Sequence, residues 1–218
     1  MPAFEILLQF FGLAVLLALT PGPDNIFVLI QSAQHGLRTG LLVVVGLCIG
    51  VVVHTCAVAL GLAAVVAASS TAFMVLKLLG AAYLAWLAWG AWHAPCSSTP
   101  QELSSGHTAS TSSSKRHPLA MVGRGMLMNL SNPKVLMFFL AFLPQFADPN
   151  VGPIGPQIAI FGALFAGTTL LVFGAIACFS GFFGHLLQRS VKAQRILNRL
   201  ASIVFIALAA RLATLNRT

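Results

Sequence analysis

The sequence predicts an all-α integral membrane protein, with six transmembrane helices arranged as two inverted three-helix repeats. Three observations point there. Of the 218 residues, 58% are hydrophobic and only 7% are charged, with a mean hydropathy of +0.91. A soluble chain carries about 25% charged residues because its surface must face water, so this surface must face lipid instead. The apolar residues gather into six long stretches, and the first stretch of each half is broken by proline and polar residues at matching places.

The stretches run from Phe4 to Gln34 (broken at Pro21), Gly40 to Ala68, Phe73 to Trp92, Leu119 to Phe146, Ile154 to Leu187 and Leu200 to Leu215. A helical crossing takes about 20 apolar residues, so six crossings fill the chain and leave no sizeable soluble domain. None of the stretches reads as a strand, because they are long, lack strict alternation, and an open sheet edge is not tolerated in lipid. Residues 1 to 20 lack a basic leader, and Pro21-Gly22-Pro23 stands where a small-residue cleavage site would be, so the first stretch is expected to stay in the protein.

The second stretch carries Gly36-x-x-x-Gly40 and Gly46-x-x-x-Gly50, with Gly61 on nearly the same face, a spacing that lets helices approach closely. His54 in the same stretch reads as a hydrogen-bonded packing residue. Trp86, Trp89 and Trp92 mark one face of the third stretch near a membrane interface, where they anchor the helix. The link from Ala94 to Pro118 is rich in serine and threonine, too polar for a core, and divides the chain into residues 1–93, a loop 94–118, and residues 119–218.

Basic residues set the orientation. Arg38 follows the first stretch, Lys115, Arg116 and Arg124 flank the third link, and Arg189, Lys192, Arg195 and Arg199 precede the sixth stretch. The second and fourth connections have none. Positive loops remain cytoplasmic, which puts both termini outside, with Arg217 and Arg211 as the contrary charges.

The two breaks are the candidate site. Leu19-Thr20-Pro21-Gly22-Pro23-Asp24-Asn25 interrupts the first stretch, where neither proline can join the helical ladder and Pro23 suits the first position of a new segment. Asn129-Leu130-Ser131-Asn132-Pro133-Lys134 interrupts the fourth, with Asn132 as the expected N-cap. The breaks lie 110 residues apart, each in the first crossing of its half, and three crossings per half turn the second half upside down. A weaker echo is Lys77-Leu-Leu-Gly80 against Arg199-Leu-Ala-Ser202. Paired interrupted helices in inverted repeats mark the midplane site of secondary transporters.

The chemistry follows from the ends of broken helices. Unpaired N–H groups suit a carboxylate and free carbonyls suit an ammonium group, so together they fit a zwitterion. The expected substrate-binding residues are therefore Pro21, Gly22, Pro23, Asp24, Asn25, Asn129, Asn132, Pro133 and Lys134. Asp24 is the acid embedded in an apolar stretch and is expected to carry the coupling proton as well. Lys77 and Arg124 are secondary candidates. A structural role stays open for each charge: Asp24 as a cap of the Pro23 segment, Lys134 as a snorkelling cation or the partner of Asp24.

Other classes fit less well. Sixteen charges in an apolar chain make no basic groove, so no nucleic acid is expected. Cys48, Cys56, Cys96 and Cys178 lack CxxC or metal-ligand spacing. Cys48 and Cys178 do fall in the second and fifth stretches, which leaves a thiol-disulfide electron carrier as an alternative. A divalent-metal exporter is a second alternative, short of carboxylates, thiolates and histidines near the breaks. Nothing sets a nucleophile beside a base, so no enzyme, cofactor or resident metal is expected.

The Thr20-Pro21-Gly22-Pro23-Asp24-Asn25 run, the Lys77-Leu-Leu-Gly80-Ala-Ala-Tyr83-Leu84 run, and Asn129-Leu-Ser-Asn132-Pro133-Lys134 followed by Phe138-Phe139 and Phe142-Leu-Pro144-Gln145-Phe146 together resemble the LysE/RhtB family of bacterial amino-acid exporters. The likeness covers essentially the whole chain, with Ser202 a departure from the expected glycine. It implies an efflux carrier of the bacterial cytoplasmic membrane, driven by the proton gradient and working as a homo-oligomer. Within that family a buried acid would be expected to meet a lysine or arginine side chain. With Asp24 alone to serve, a small neutral or hydroxylated amino acid such as homoserine or threonine is favoured.

Overall fold

The computed structural model describes residues 2–20, 22–68, 70–93, 117–148, 150–180 and 191–214, and those residues are helical apart from short links. The first stretch is two helices, α1 (Phe4–Leu19) and α2 (Pro23–His35), bent by 62°. Gly36 separates α2 from α3 (Leu37–Ala68) with φ of +83°, a conformation that favours glycine, and its N–H closes α2 on the Ser32 carbonyl. α4 spans Ser70–His93.

The second half repeats the opening. α5 (Pro118–Leu130) and α6 (Pro133–Met137) meet at a 54° bend between residues 130 and 133. α6 runs on into a π turn over Phe138–Phe142 and a 3-10 turn over Leu143–Phe146. Pro144 explains that slip: it has no N–H for the carbonyl four residues back, so the Leu143 N–H reaches five residues to Phe138 instead. α7 (Ile154–Cys178) and α8 (Val191–Thr214) complete the described chain. α8 begins nine residues before the expected Leu200, and the expected end of the fifth stretch at Leu187 lies outside the described residues.

α3 over Leu37–Gly61 and α7 are long and apolar enough to cross a membrane, and among the described residues the number rises to four if each bent pair is one span. α3 packs against α5 and α7, α4 against α8, and α1 and α2 against α7. Glycine makes the α3–α5 contact possible. A Cβ on Gly46 would overlap the Val122 carbonyl, and one on Gly125 would overlap the Val43 carbonyl, so the two backbones touch. The packing expected of the Gly46–Gly50 pair is therefore present, whereas Gly61 has open space beside it. Trp86, Trp89 and Trp92 all project outward from α4, and Arg199 of α8 lies over the Trp92 ring at 5.5 Å.

The interior consists of two apolar clusters. One gathers Phe10, Leu17, Phe138, Phe142, Phe146, Phe161 and Phe165, whose rings meet at centroid distances that include 4.9 Å for Phe10–Phe161 and 5.2 Å for Phe142–Phe146. The other is mostly aliphatic, with Val28, Val43, Val44, Leu47, Ile176 and Ala177 around Phe173. Asp24, Asn129 and Lys134 of the two breaks share a pocket with members of both clusters.

Candidate functional site

The first break exposes the carbonyl end of α1, and side chains cap that end one carbonyl at a time. Thr20 turns its hydroxyl and its N–H back to the Leu16 carbonyl, at 2.8 and 3.0 Å. Asn25 Nδ2 donates to the Ala18 carbonyl at 2.7 Å. Gly22, in extended backbone, is the N-cap of α2, and Pro23 takes the first helical position, where a missing N–H costs nothing. Pro21 lies outside the described residues.

The second break is built the same way with opposite charge. Asn132 is the N-cap of α6, as its position before proline suggests, and its Oδ1 accepts from the Lys134 N–H at 3.0 Å. Pro133 again holds the first helical position. Asp24 and Lys134 thus stand at the same place in the two breaks, directly after the N1 proline. Both prolines are exposed, so they shape the backbone and do not face the interior.

The two breaks meet. Lys134, 6% exposed, donates from Nζ to the Leu17 and Thr20 carbonyls, both at 3.1 Å. A Cβ on Gly22 would lie 3.2 Å from that Nζ, so glycine there clears its path. Asp24, 1% exposed, has Lys134 as its charged neighbour and Asn132 beside it. This corrects one expectation: the α1 carbonyls left over by the break are not free for an ammonium ligand, because Lys134 and Asn25 already occupy three of them.

What remains unpaired is a set of side-chain atoms. Asp24 Oδ1, Asn25 Oδ1, Asn129 Oδ1 and Asn132 Nδ2 are buried without a hydrogen-bond partner. Each such atom costs about 1–3 kcal/mol in a purely structural setting, and the oxygens of Asp24 and Asn129, which share a pocket, point to a polar guest. Asp24, Asn129, Lys134 and Thr169 contribute polar groups to one small pocket. Its apolar wall comes from Leu17, Val135, Phe165 and Phe173. The pocket has room for about one water molecule, so a larger guest must part the walls.

Not every expected residue is there. Arg124 is exposed on α5, more than a turn before Asn129, and does not line the pocket. Lys77 lies on α4, but its side chain is outside the described residues. Conversely, Phe165, Thr169 and Phe173 of α7 line the pocket at i, i+4 and i+8, although α7 is apolar on all sides and nothing in its sequence marks that face. His54 is buried with its ring stacked on Phe139 at 5.5 Å, as a packing residue would be, yet its Nε2 has no partner. Cys48, Cys56 and Cys178 are free thiols, while Cys96 is outside the described residues.

Comparison with known proteins gives a consistent answer. Residues 15–216 match the family described as LysE type translocator. The chain is 32% identical over 207 residues to a leucine efflux protein of Klebsiella pneumoniae, covering 93% of this chain and 92% of the relative. It is 30% identical over 203 residues to an uncharacterized membrane protein of Vibrio cholerae, covering 92% and 93%. It is 27% identical over 203 residues to a leucine efflux protein of Salmonella typhimurium, covering 93% and 92%. No solved structure matches.

Proposed function

Because the chain belongs to the LysE type translocator family, and so moves a solute instead of transforming one, we propose that it exports a neutral amino acid across the bacterial cytoplasmic membrane in exchange for protons. The observation that carries this is the placing of Asp24 and Lys134, one from each break, in a single buried pocket. Lys134 spends two hydrogen bonds on α1 and has a third proton for a substrate carboxylate. The substrate ammonium is held by the unpaired oxygens of Asp24 and Asn129.

The same arrangement accounts for coupling. A proton on Asp24 and an ammonium group beside it compete for one carboxylate. Protonation from outside then releases the amino acid, and loss of that proton to the cytoplasm readies the site for the next one. This exchange needs access from alternate sides. Six crossings in two inverted repeats supply it, and the helix pairing supports that plan: α3 on α5 is matched by α7 on α1 and α2, while α3–α7 and α4–α8 pair each crossing with its own counterpart. The basic residues support cytoplasmic odd-numbered links, residues 94–118 among them, and external termini. A homo-oligomer is part of the same proposal by family likeness.

The substrate side chain faces Leu17, Val135, Phe165 and Phe173, which favours an aliphatic amino acid, in keeping with the relatives named leucine efflux proteins. A small hydroxylated substrate such as threonine or homoserine is the second reading, and Thr169 on the pocket wall is what favours it. Cells preloaded with labelled leucine, threonine, homoserine and lysine test both. Gene-dependent loss of leucine supports the first reading and loss of threonine or homoserine the second; no accelerated efflux of any of them refutes the export function.

A further inference from the structure

The pocket has two approaches, and they are built differently. On one side the phenylalanine cluster of α1, the π turn and α7 fills the space, with Phe165 at the pocket wall. On the other side runs α2, whose buried residues are Asp24, Val28, Gln31 and Ser32, a single helical face. Two of its polar residues lie away from the pocket, with Ser32 roughly 12 Å along the helix from Asp24.

Gln31 and Ser32 do not behave as packing residues. They are 8% and 4% exposed, yet Gln31 Oε1 and Ser32 Oγ have no hydrogen-bond partner. Ser32 lies beside Gly40 and close to Ala177, at the edge of the mostly aliphatic second cluster, to which Val28 of the same buried α2 face also belongs. Apolar residues of similar size would fill such a seam at lower cost, because a buried amide oxygen without a donor loses its water and gains nothing. The backbone also makes way. A Cβ on Gly40 of α3 would collide with Ser32 Oγ and approach Ala177 at 3.3 Å, so α2, α3 and α7 converge at that hydroxyl. On α7, Thr169, Phe173 and Ala177 step one turn at a time from the pocket to this convergence. Phe173 belongs both to the pocket wall and to the aliphatic cluster, and so stands between the two places.

We infer that Gln31 and Ser32 form a transit site for the substrate's ammonium group on the cytoplasmic approach to the pocket, with Phe173 as the side chain that separates the two. Both unpaired atoms are oxygens able to accept, and an ammonium group offers three donors and no acceptor. The inference rests on the exporter reading and on the orientation that places the α2–α3 link inside. An amino acid pausing at Gln31 exchanges water for these oxygens, and rotation of Phe173 admits it to Asp24.

Sided transport assays with the full chain test this. Labelled leucine is offered to inverted membrane vesicles, which present the cytoplasmic face, and to right-side-out vesicles, which present the other. For Gln31→Leu combined with Ser32→Ala, the half-saturating concentration is expected to rise about tenfold in inverted vesicles and to stay unchanged in right-side-out ones. Gln31→Glu, which keeps size and acceptor, is expected to hold or lower it, and guards against misfolding as the cause. An unchanged value in inverted vesicles, an equal rise on both faces, or a Gln31→Glu protein as weak as Gln31→Leu would overturn the transit site. If the unaltered protein carries no amino acid from either face, the exporter reading itself fails.

Discussion

Lys134 closes the end of a helix that lies 114 residues earlier in the chain: its ammonium group donates to the Thr20 carbonyl at 3.1 Å, and to Leu17 at the same distance. One side chain therefore ties the second break to the first, caps α1 and faces Asp24. Replacing Lys134 with Met leaves two buried carbonyls unpaired and Asp24 without its counter-charge. A loss of about 3–5 kcal/mol is expected, read as a lower melting temperature in detergent. Adding Asp24→Asn should recover part of it, since the stranded charge is then gone.

In the proposed exchange Asp24 links substrate and proton. Substrate binding to the unaltered protein should weaken as pH falls, because proton and ammonium compete for the carboxylate. Asp24→Asn should bind with little pH dependence and should no longer accumulate amino acid against its gradient when a proton gradient is imposed. Vesicle transport with and without that gradient checks it, and an Asp24→Asn protein that stays gradient-driven would remove Asp24 from the coupling.

Glycine contacts divide into essential and idle. Gly46→Ala forces a methyl group into the Val122 carbonyl and must push α3 and α5 apart, a cost of about 1–3 kcal/mol. Gly61→Ala meets nothing within 4 Å and should leave stability unchanged or slightly raised. Thermal unfolding in detergent separates the two.

Thiol chemistry is not needed for the proposed exchange. Replacing Cys48, Cys56, Cys96 and Cys178 together by serine or alanine should leave efflux within about twofold of normal, since each tenfold change requires 1.4 kcal/mol of altered binding or barrier. Loss of transport in the cysteine-free protein that returns with Cys48 and Cys178 alone would favour the thiol-disulfide alternative.

The two helix breaks of the candidate site were legible in the sequence because proline acts locally. Pro23 and Pro133 break the ladder wherever they stand, and the charge that follows each is then near a helix start. How the loose ends would pair was not legible. The α1 carbonyls looked free, but the Lys134 side chain is long enough to reach them, and only the fold brings it there. Phe165, Thr169 and Phe173 were hidden because a helix apolar on all sides has no pattern to say which face turns inward. The π turn before Pro144 was missed for a related reason: proline forecasts a disturbance, not which carbonyl the next donor will find.

In the proposed mechanism the pocket recognises both charges of a free amino acid at once. Calorimetric titration of the purified protein with leucine, leucine methyl ester and N-acetyl-leucine tests it directly. Leucine should bind, and each analogue, having lost one charge, should bind at least about a hundredfold more weakly, as removal of one partner from a buried charge contact costs several kcal/mol. Equal binding of all three would contradict it.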